Sequence, residues 1–171
     1  NTKLTDLGFK GWGANSDDVI VQSTVVHAGT KAVILPDGTV MSNRISSAAT
    51  GVWTDYYLQP NLGAAPSTIP TASFVSYADT NGYLVVYTGG AWTTCSVTAV
   101  SSPLPSGSLL ATNAFRRISI YQDFDTDKFA VLQDGYVVAE NLSFPVASTT
   151  YSSFLADNND GSAYLDDISI T

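Results

Sequence analysis

Residues Phe115 to Ala139 read FRRISIYQDFDTDKFAVLQDGYVVA, and this stretch decides the fold. From Phe115 to Gln122 apolar and polar residues alternate, the two-residue period of a strand with one face in a core. Asp123 to Asp127 is a run of turn formers, and Lys128 to Gln133 returns as a second strand. Asp134-Gly135 is a tight-turn dipeptide, and Tyr136 to Ala139 follows as a third. A helix would instead place apolar residues three and four apart.

The same grammar extends in both directions. Gly51 to Gln59 (GVWTDYYLQ) alternates, with Val52, Thr54, Tyr56 and Leu58 on one face and Trp53, Asp55, Tyr57 and Gln59 on the other. Asp18 to Val26 is rich in β-branched residues and reads as a strand ending at His27-Ala28-Gly29. Lys31 to Leu35, Pro36-Asp37-Gly38 and Thr39 to Ile45 read as a hairpin. Ser73 to Ala78 and Tyr83 to Tyr87 make another around Asp79-Thr80-Asn81-Gly82, and Gly89-Gly90 turns into Ala91 to Val97. Tyr151 to Ala156, the turn Asp157 to Gly161, and Tyr164 to Ile170 end the chain. The stretches 61–70 and 101–108, with their prolines, read as loops. About a dozen short strands at turn-punctuated spacing predict an all-β, antiparallel β-sandwich of the jelly-roll kind, one domain over residues 1–171.

Composition agrees and removes several functions. The chain has 171 residues, 44% hydrophobic and only 13% charged. Fourteen of its acids are Asp and one, Glu140, is Glu; Asp collects at turns, whereas helix surfaces favour Glu. A net charge of −8 repels a phosphate backbone and argues against nucleic acid. No apolar run approaches the roughly 18 residues of a membrane span. The chain opens Asn1-Thr2-Lys3 without an initiator Met, as a secreted protein does after its signal is removed or as a trimmed chain does; with its low charge and abundant Ser, Thr, Asn and Gly, an extracellular or cell-surface location is expected. Cys95 is alone, reads as a small buried hydrophobe, and can form no intramolecular disulfide.

The segment Phe115 to Ala139 resembles the concanavalin-A-like, laminin-G-like lectin and glucanase jelly rolls. It has their order of aromatic-x-Arg, alternating strand, Asp-rich turn, second strand, Asp-Gly and apolar return. Leu7 to Trp12 with Val25 to Val33 is similar to the first strands of bacterial carbohydrate-binding jelly rolls, and Ala163 to Ile170 to the closing strand of both groups. The resemblance implies the fold and a habit of carbohydrate recognition; a shared fold does not determine function.

Glycoside hydrolysis needs two carboxylates flanking the scissile bond. The glucanases that the chain resembles carry paired Glu in an E-x-D-x-E-like run, and here Glu140 stands alone beside Asn141. Serine chemistry lacks its G-x-S-x-G elbow, and His27, the one histidine, reads as a solvated turn residue. No catalytic residue is therefore assigned, and a non-enzyme is expected.

Metal binding has two candidate sites. Asp123-Phe124-Asp125-Thr126-Asp127 opens like a calcium loop, but Lys128 stands where Gly is needed, which favours a hairpin turn whose carboxylates accept backbone N–H groups. Asp157 to Gly161 followed by Asp166-Asp167 is the better candidate, with Asp160 and Asp167 as ligands of a structural calcium. The resemblance implies such an ion, since related modules often hold one with an Asp of the closing strand that aligns with Asp167. Successive Asp166 and Asp167 should point to opposite sheet faces.

Sugar recognition needs aromatic platforms beside planar polar groups. Trp53, Asp55 and Tyr57 share one strand face, Arg117, Ser119 and Tyr121 share another, and Tyr87 and Trp92 flank Gly89-Gly90 at a rim. Core packing is the competing role for aromatics on strands. Asp55 and Arg117 sharpen the choice between a paired core couple and hydroxyl binders on an exposed concave sheet. Two functions follow from different classes. One is a non-catalytic module binding a neutral glycan, and the other a structural subunit that assembles with copies of itself. Asn1 to Phe9 is a candidate arm for pairing with a neighbour's sheet edge, whereas in the family that the chain resembles this stretch starts the sandwich.

Overall fold

The computed structural model describes residues 2–7, 11–45, 47–59, 74–78, 83–88, 91–96, 114–143, 150–151, 154–158 and 161–171. Of these, 6–7, 74–78, 83–88, 91–96, 138–139 and 142–143 are described by their backbone alone. The described residues form fourteen strands and one helical turn. In chain order they are β1 Thr2–Lys3, α1 Leu4–Leu7, β2 Trp12–Ala14, β3 Ile20–Gln22, β4 Ala32–Leu35, β5 Thr39–Asn43 and β6 Gly51–Gln59. There follow β7 Phe74–Ala78, β8 Tyr83–Thr88, β9 Ala91–Ser96, β10 Arg116–Asp123, β11 Lys128–Gln133, β12 Tyr136–Ser143, β13 Phe154–Asn158 and β14 Ala163–Ile170. One sheet has the order β1-β3-β4-β14-β6-β10-β11-β12 and the other β2-β5-β13-β7-β8-β9.

The central meander forms as its sequence predicts. β10 and β11 pair from Ile118↔Gln133 to Asp123↔Lys128, and β11 pairs with β12 around Asp134-Gly135. Asp134 and Gly135 both have positive φ, at 51° and 84°. Two positive φ values in succession twist a two-residue turn to match its strands, which is why Asp-Gly is favoured there. In the preceding turn the Asp123 carboxylate accepts the N–H groups of Asp125 and Thr126, the local role expected for it. Hydrogen bonds from Thr126 hold this carboxyl below the usual aspartate range.

Alternation places the core between the sheets. Val52, Thr54, Tyr56 and Leu58 of β6 are all buried, as are Ile118 and Ile120 of β10 and Phe129 and Val131 of β11. From the other sheet come Met41, Phe154 and Ala156, packed in the same cluster with Leu4, Leu35 and Leu165. Thr54 donates to the phenol oxygen of Tyr151 at 3.5 Å inside this layer, and burial pushes the Tyr151 phenol well up.

Two sequence expectations need correction. Lys31–Leu35 and Thr39–Ile45 are not two arms of one hairpin: β4 lies in the larger sheet and β5 in the smaller. Pro36-Asp37-Gly38 is the crossing between sheets, closed by Thr39, whose N–H and hydroxyl both reach the Pro36 carbonyl. Next, the strand read over Asp18 to Val26 is only β3, because Gln22 ends it. Its side-chain oxygen accepts from the N–H groups of Thr24 and Val25 while its nitrogen donates to the Val25 carbonyl. The ladders are antiparallel as expected, with one parallel pair among the described residues, β13 with β7. At the start of the described chain β1 pairs with β3 through Thr2↔Val21 and Lys3↔Ile20, and Leu4 is buried in the core, so residues 2–7 begin the sandwich as the resemblance implies.

A second crossing, from β13 to β14, is tied by Asn158. Its amide donates to the Leu35 carbonyl of the larger sheet at 2.8 Å and to the Gly161 carbonyl at 3.0 Å. Asn158→Ala leaves both acceptors short of a donor. The expected cost is about 1–3 kcal/mol, read as a fall of several degrees in Tm.

Asp157 is the opposite case. Burial on β13 raises its carboxyl above the ordinary aspartate value. The folded chain thus holds this proton more tightly than the unfolded one. Its stabilising contribution is complete below the unfolded value and is lost as the pH rises through the folded one. Ionised Asp157 therefore costs stability at neutral pH. Asp157→Asn should melt above the wild type there, and thermal melts at falling pH should show the difference closing in the carboxylate range.

Candidate functional site

β6 is held between β14 and β10, so its outward residues stand in the middle of the larger sheet's outer face. Registry with β10 sets Trp53 opposite Tyr121, Asp55 opposite Ser119 and Tyr57 opposite Arg117. The two rows named from the sequence thus form one array. Directly opposite residues in a sheet lie close enough for their side chains to touch; here Trp53 meets Tyr121 and Asp55 meets Ser119, while Arg117 reaches diagonally to Asp55.

At one end Trp53 and Tyr121 form a tilted ring pair with centroids 4.9 Å apart. Trp53 is 40% exposed, which separates it from the core aromatics Tyr56, Phe129 and Phe154. Gly51 permits the arrangement: a Cβ there would lie 2.9 Å from the Tyr121 hydroxyl. In the middle, the Asp55 carboxylate accepts from Arg117 Nε at 3.0 Å and Nη2 at 2.9 Å, and from the Ser119 hydroxyl. Asp55 and Arg117 are thus a pair, yet one on the surface, with the Arg117 side chain 49% exposed. Asp134 braces Arg117 from behind: its carboxylate accepts the Arg117 N–H at 3.0 Å, and its own N–H donates to the Arg117 carbonyl at 2.9 Å.

At the other end stands a residue that the sequence reading placed in solvent. His27 stacks on Tyr57 with centroids 3.4 Å apart and planes 15° apart, and meets Phe115 edge-on at 5.7 Å. Its Nδ1 lies 3.1 Å from the Asp167 carboxylate. Asp166 accepts the N–H groups of His27 and Ala28. Both aspartates therefore serve the same loop, contrary to strict alternation. A bulge is the cause: β6 runs from Tyr57 to Asp55 while β14 runs from Asp166 to Ser169, and Asp167 has φ 50°. The extra residue re-aims the side chain.

The remaining sequence candidates are placed as follows. Tyr87 lies on β8 and Trp92 on β9, paired in register, but their side chains fall outside the description, as does that of Cys95. Asp160 lies outside the described residues. Among the described residues no three His, Cys, Asp or Glu side chains gather into a metal site. Asp166 accepts backbone N–H groups and Asp167 lies against the His27 imidazole. Glu140 is exposed on β12, beside Asn141 with φ 57°. No helix among the described residues is long and apolar enough to cross a membrane.

No family model matches the chain, and no curated protein matches it. Solved structures do. The binding domain of botulinum neurotoxin serotype G superposes with a TM-score of 0.60 at 10% identity, over 96% of this chain and 44% of that one. A sialidase gives 0.59 at 9%, over 94% of this chain and 17% of its own length. The chain thus spans less than half of either. A carbohydrate-binding module from Bacillus subtilis gives 0.51 at 11%, over 95% of this chain and 96% of that one. Likeness at such identities is one of fold: an antiparallel β-sandwich of the jelly-roll kind, as the resemblance implies.

Proposed function

We propose that the chain is a single, non-catalytic, extracellular carbohydrate-binding module whose site is the outer face of the larger sheet. The observation that carries this reading is the exposed Trp53, paired with Tyr121 and set beside the Asp55–Arg117–Ser119 network. An indole face stacks on the C–H surface of a pyranose, and the carboxylate, guanidinium and hydroxyl supply donors and acceptors for its hydroxyls. That a structure of the same fold is itself a carbohydrate-binding module supports the reading. So does the absence from the sequence of a paired-Glu run or a serine elbow, with Asp55 occupied by Arg117 and Ser119. A net charge of −8 favours neutral over polyanionic glycans.

Stacking on one aromatic platform is worth about 1–1.5 kcal/mol, so Trp53→Ala should weaken binding roughly tenfold. The Tm should stay close to wild type, because the ring lies outside the core. Isothermal titration against hits from a glycan array, with melting curves alongside, checks both. If Trp53→Ala unfolds the chain, the ring is structural and the site is misplaced. Arg117→Ala should likewise cost binding, while stability changes by only about 0–1 kcal/mol as for other exposed ion pairs.

A second reading, a structural subunit that assembles with its own copies, draws on β12. This strand ends the larger sheet among the described residues, and Tyr136 and Val137 on it are 39% and 43% exposed. An unpaired edge bearing apolar side chains is a template for a further strand. Sedimentation at rising concentration separates the two: a monomer that binds glycan supports the module, and self-association without glycan binding supports the subunit.

A further inference from the structure

The array on the outer face has unlike ends. In the order of strands, β3 and β4 lie beyond β14, away from β6. Yet the loop between them, residues 23–31, reaches over the face, because His27 touches residues belonging to three neighbouring parts of the sheet. It bonds Asp167 of β14, stacks on Tyr57 of β6 and meets Phe115 just before β10. Asp166 secures the loop by accepting two of its backbone N–H groups. The stack covers one face of the Tyr57 ring and raises a wall across the row. At the Trp53 end the face instead continues past Tyr121 into a depression of about 220 Å³, lined by Lys128, Ala130, Glu140 and Asn141. Between wall and platform, from Tyr57 to Trp53, the strand covers about 13 Å at its usual rise.

From this geometry we propose that the site takes the end of a neutral glycan chain and not an interior stretch. The terminal sugar lies against His27 and over the Asp55–Arg117 pair, and the rest of the chain leaves over Trp53 and Tyr121 towards the depression. This rests on the carbohydrate-binding reading above and specifies its ligand. An interior segment would have to continue through the space that the His27 loop fills. Asp167 is then a positioning residue, acting through the imidazole that it holds.

The test counts protein molecules bound per glycan chain. Glucan, xylan, mannan and arabinan are offered as oligosaccharides, from disaccharide to hexasaccharide, and as the soluble polymers, at equal sugar mass. For any backbone that binds, chain-end recognition predicts that capacity follows the number of ends, so the polymer holds many-fold less protein than its oligosaccharides. His27→Ala, which removes the wall, should raise polymer capacity several-fold while the Tm stays within a few degrees of wild type. Should that variant fail to fold, Asp167→Asn, which only loosens the ring, is expected to move capacity the same way. A wild-type capacity that scales with sugar mass, or a polymer capacity unchanged in the folded variant, overturns the chain-end proposal and leaves the glycan reading standing. No binding to any of these glycans overturns both.

Discussion

The two-residue period of β6, locked in register between β10 and β14, is the constraint from which both core and site follow. Its even-numbered residues, Val52 to Leu58, fill the space between the sheets, and Trp53, Asp55 and Tyr57 are thereby obliged to face outward. A slip of one residue would bury Asp55 and expose Tyr56, so the apolar set holds the register, and the register holds the site. Arg117 and Tyr121 arrive on the same outer face, Tyr121 opposite Trp53 and Arg117 diagonal to Asp55, because Ile118 and Ile120 are committed to the core. The aromatic and polar array on this face is a consequence of packing on the other.

Joining two such sheets demands crossings, and these carry polar groups that the interior cannot leave unpaired. Thr39 closes the crossing after Pro36 with two bonds to one carbonyl, and Asn158 ties the second crossing back to Leu35. Gln22 does similar work where β3 stops, turning the chain away with three bonds to nearby backbone. That early stop releases the loop that carries His27. The loop's path over the face therefore begins with a glutamine that caps its own strand.

The bulge at Asp167 and the αL turn at Asp134 show how backbone irregularity serves the site. Neither residue is glycine, and both have φ near 50°; Asp tolerates this region because its short side chain bonds locally. At Asp134 the conformation turns the carboxylate onto the Arg117 N–H. At Asp167 it brings a second carboxylate to the same loop as Asp166. Surface ion pairs contribute little stability, and these matter more for where they hold Arg117 and His27.

Alternation, turn dipeptides and scarce helix formers determined the all-β class, the Phe115–Ala139 meander and the division of β6 into inward and outward residues. Those signals are local, spanning a few residues along one strand, and local signals survive in the sequence. Which strand pairs with which is not local. Pro36-Asp37-Gly38 has the chemistry of a hairpin turn and makes a crossing, because β4 finds β14 and β5 finds β13, partners more than a hundred residues away. The outward rows on β6 and β10 were legible separately; only their pairing in register made them one array. His27 was illegible altogether, since its neighbours Tyr57, Phe115 and Asp167 come from distant positions and Asp167 faces it only through a bulge. Periodicity reports the direction of a side chain relative to its own strand, while the tertiary structure alone decides what stands opposite.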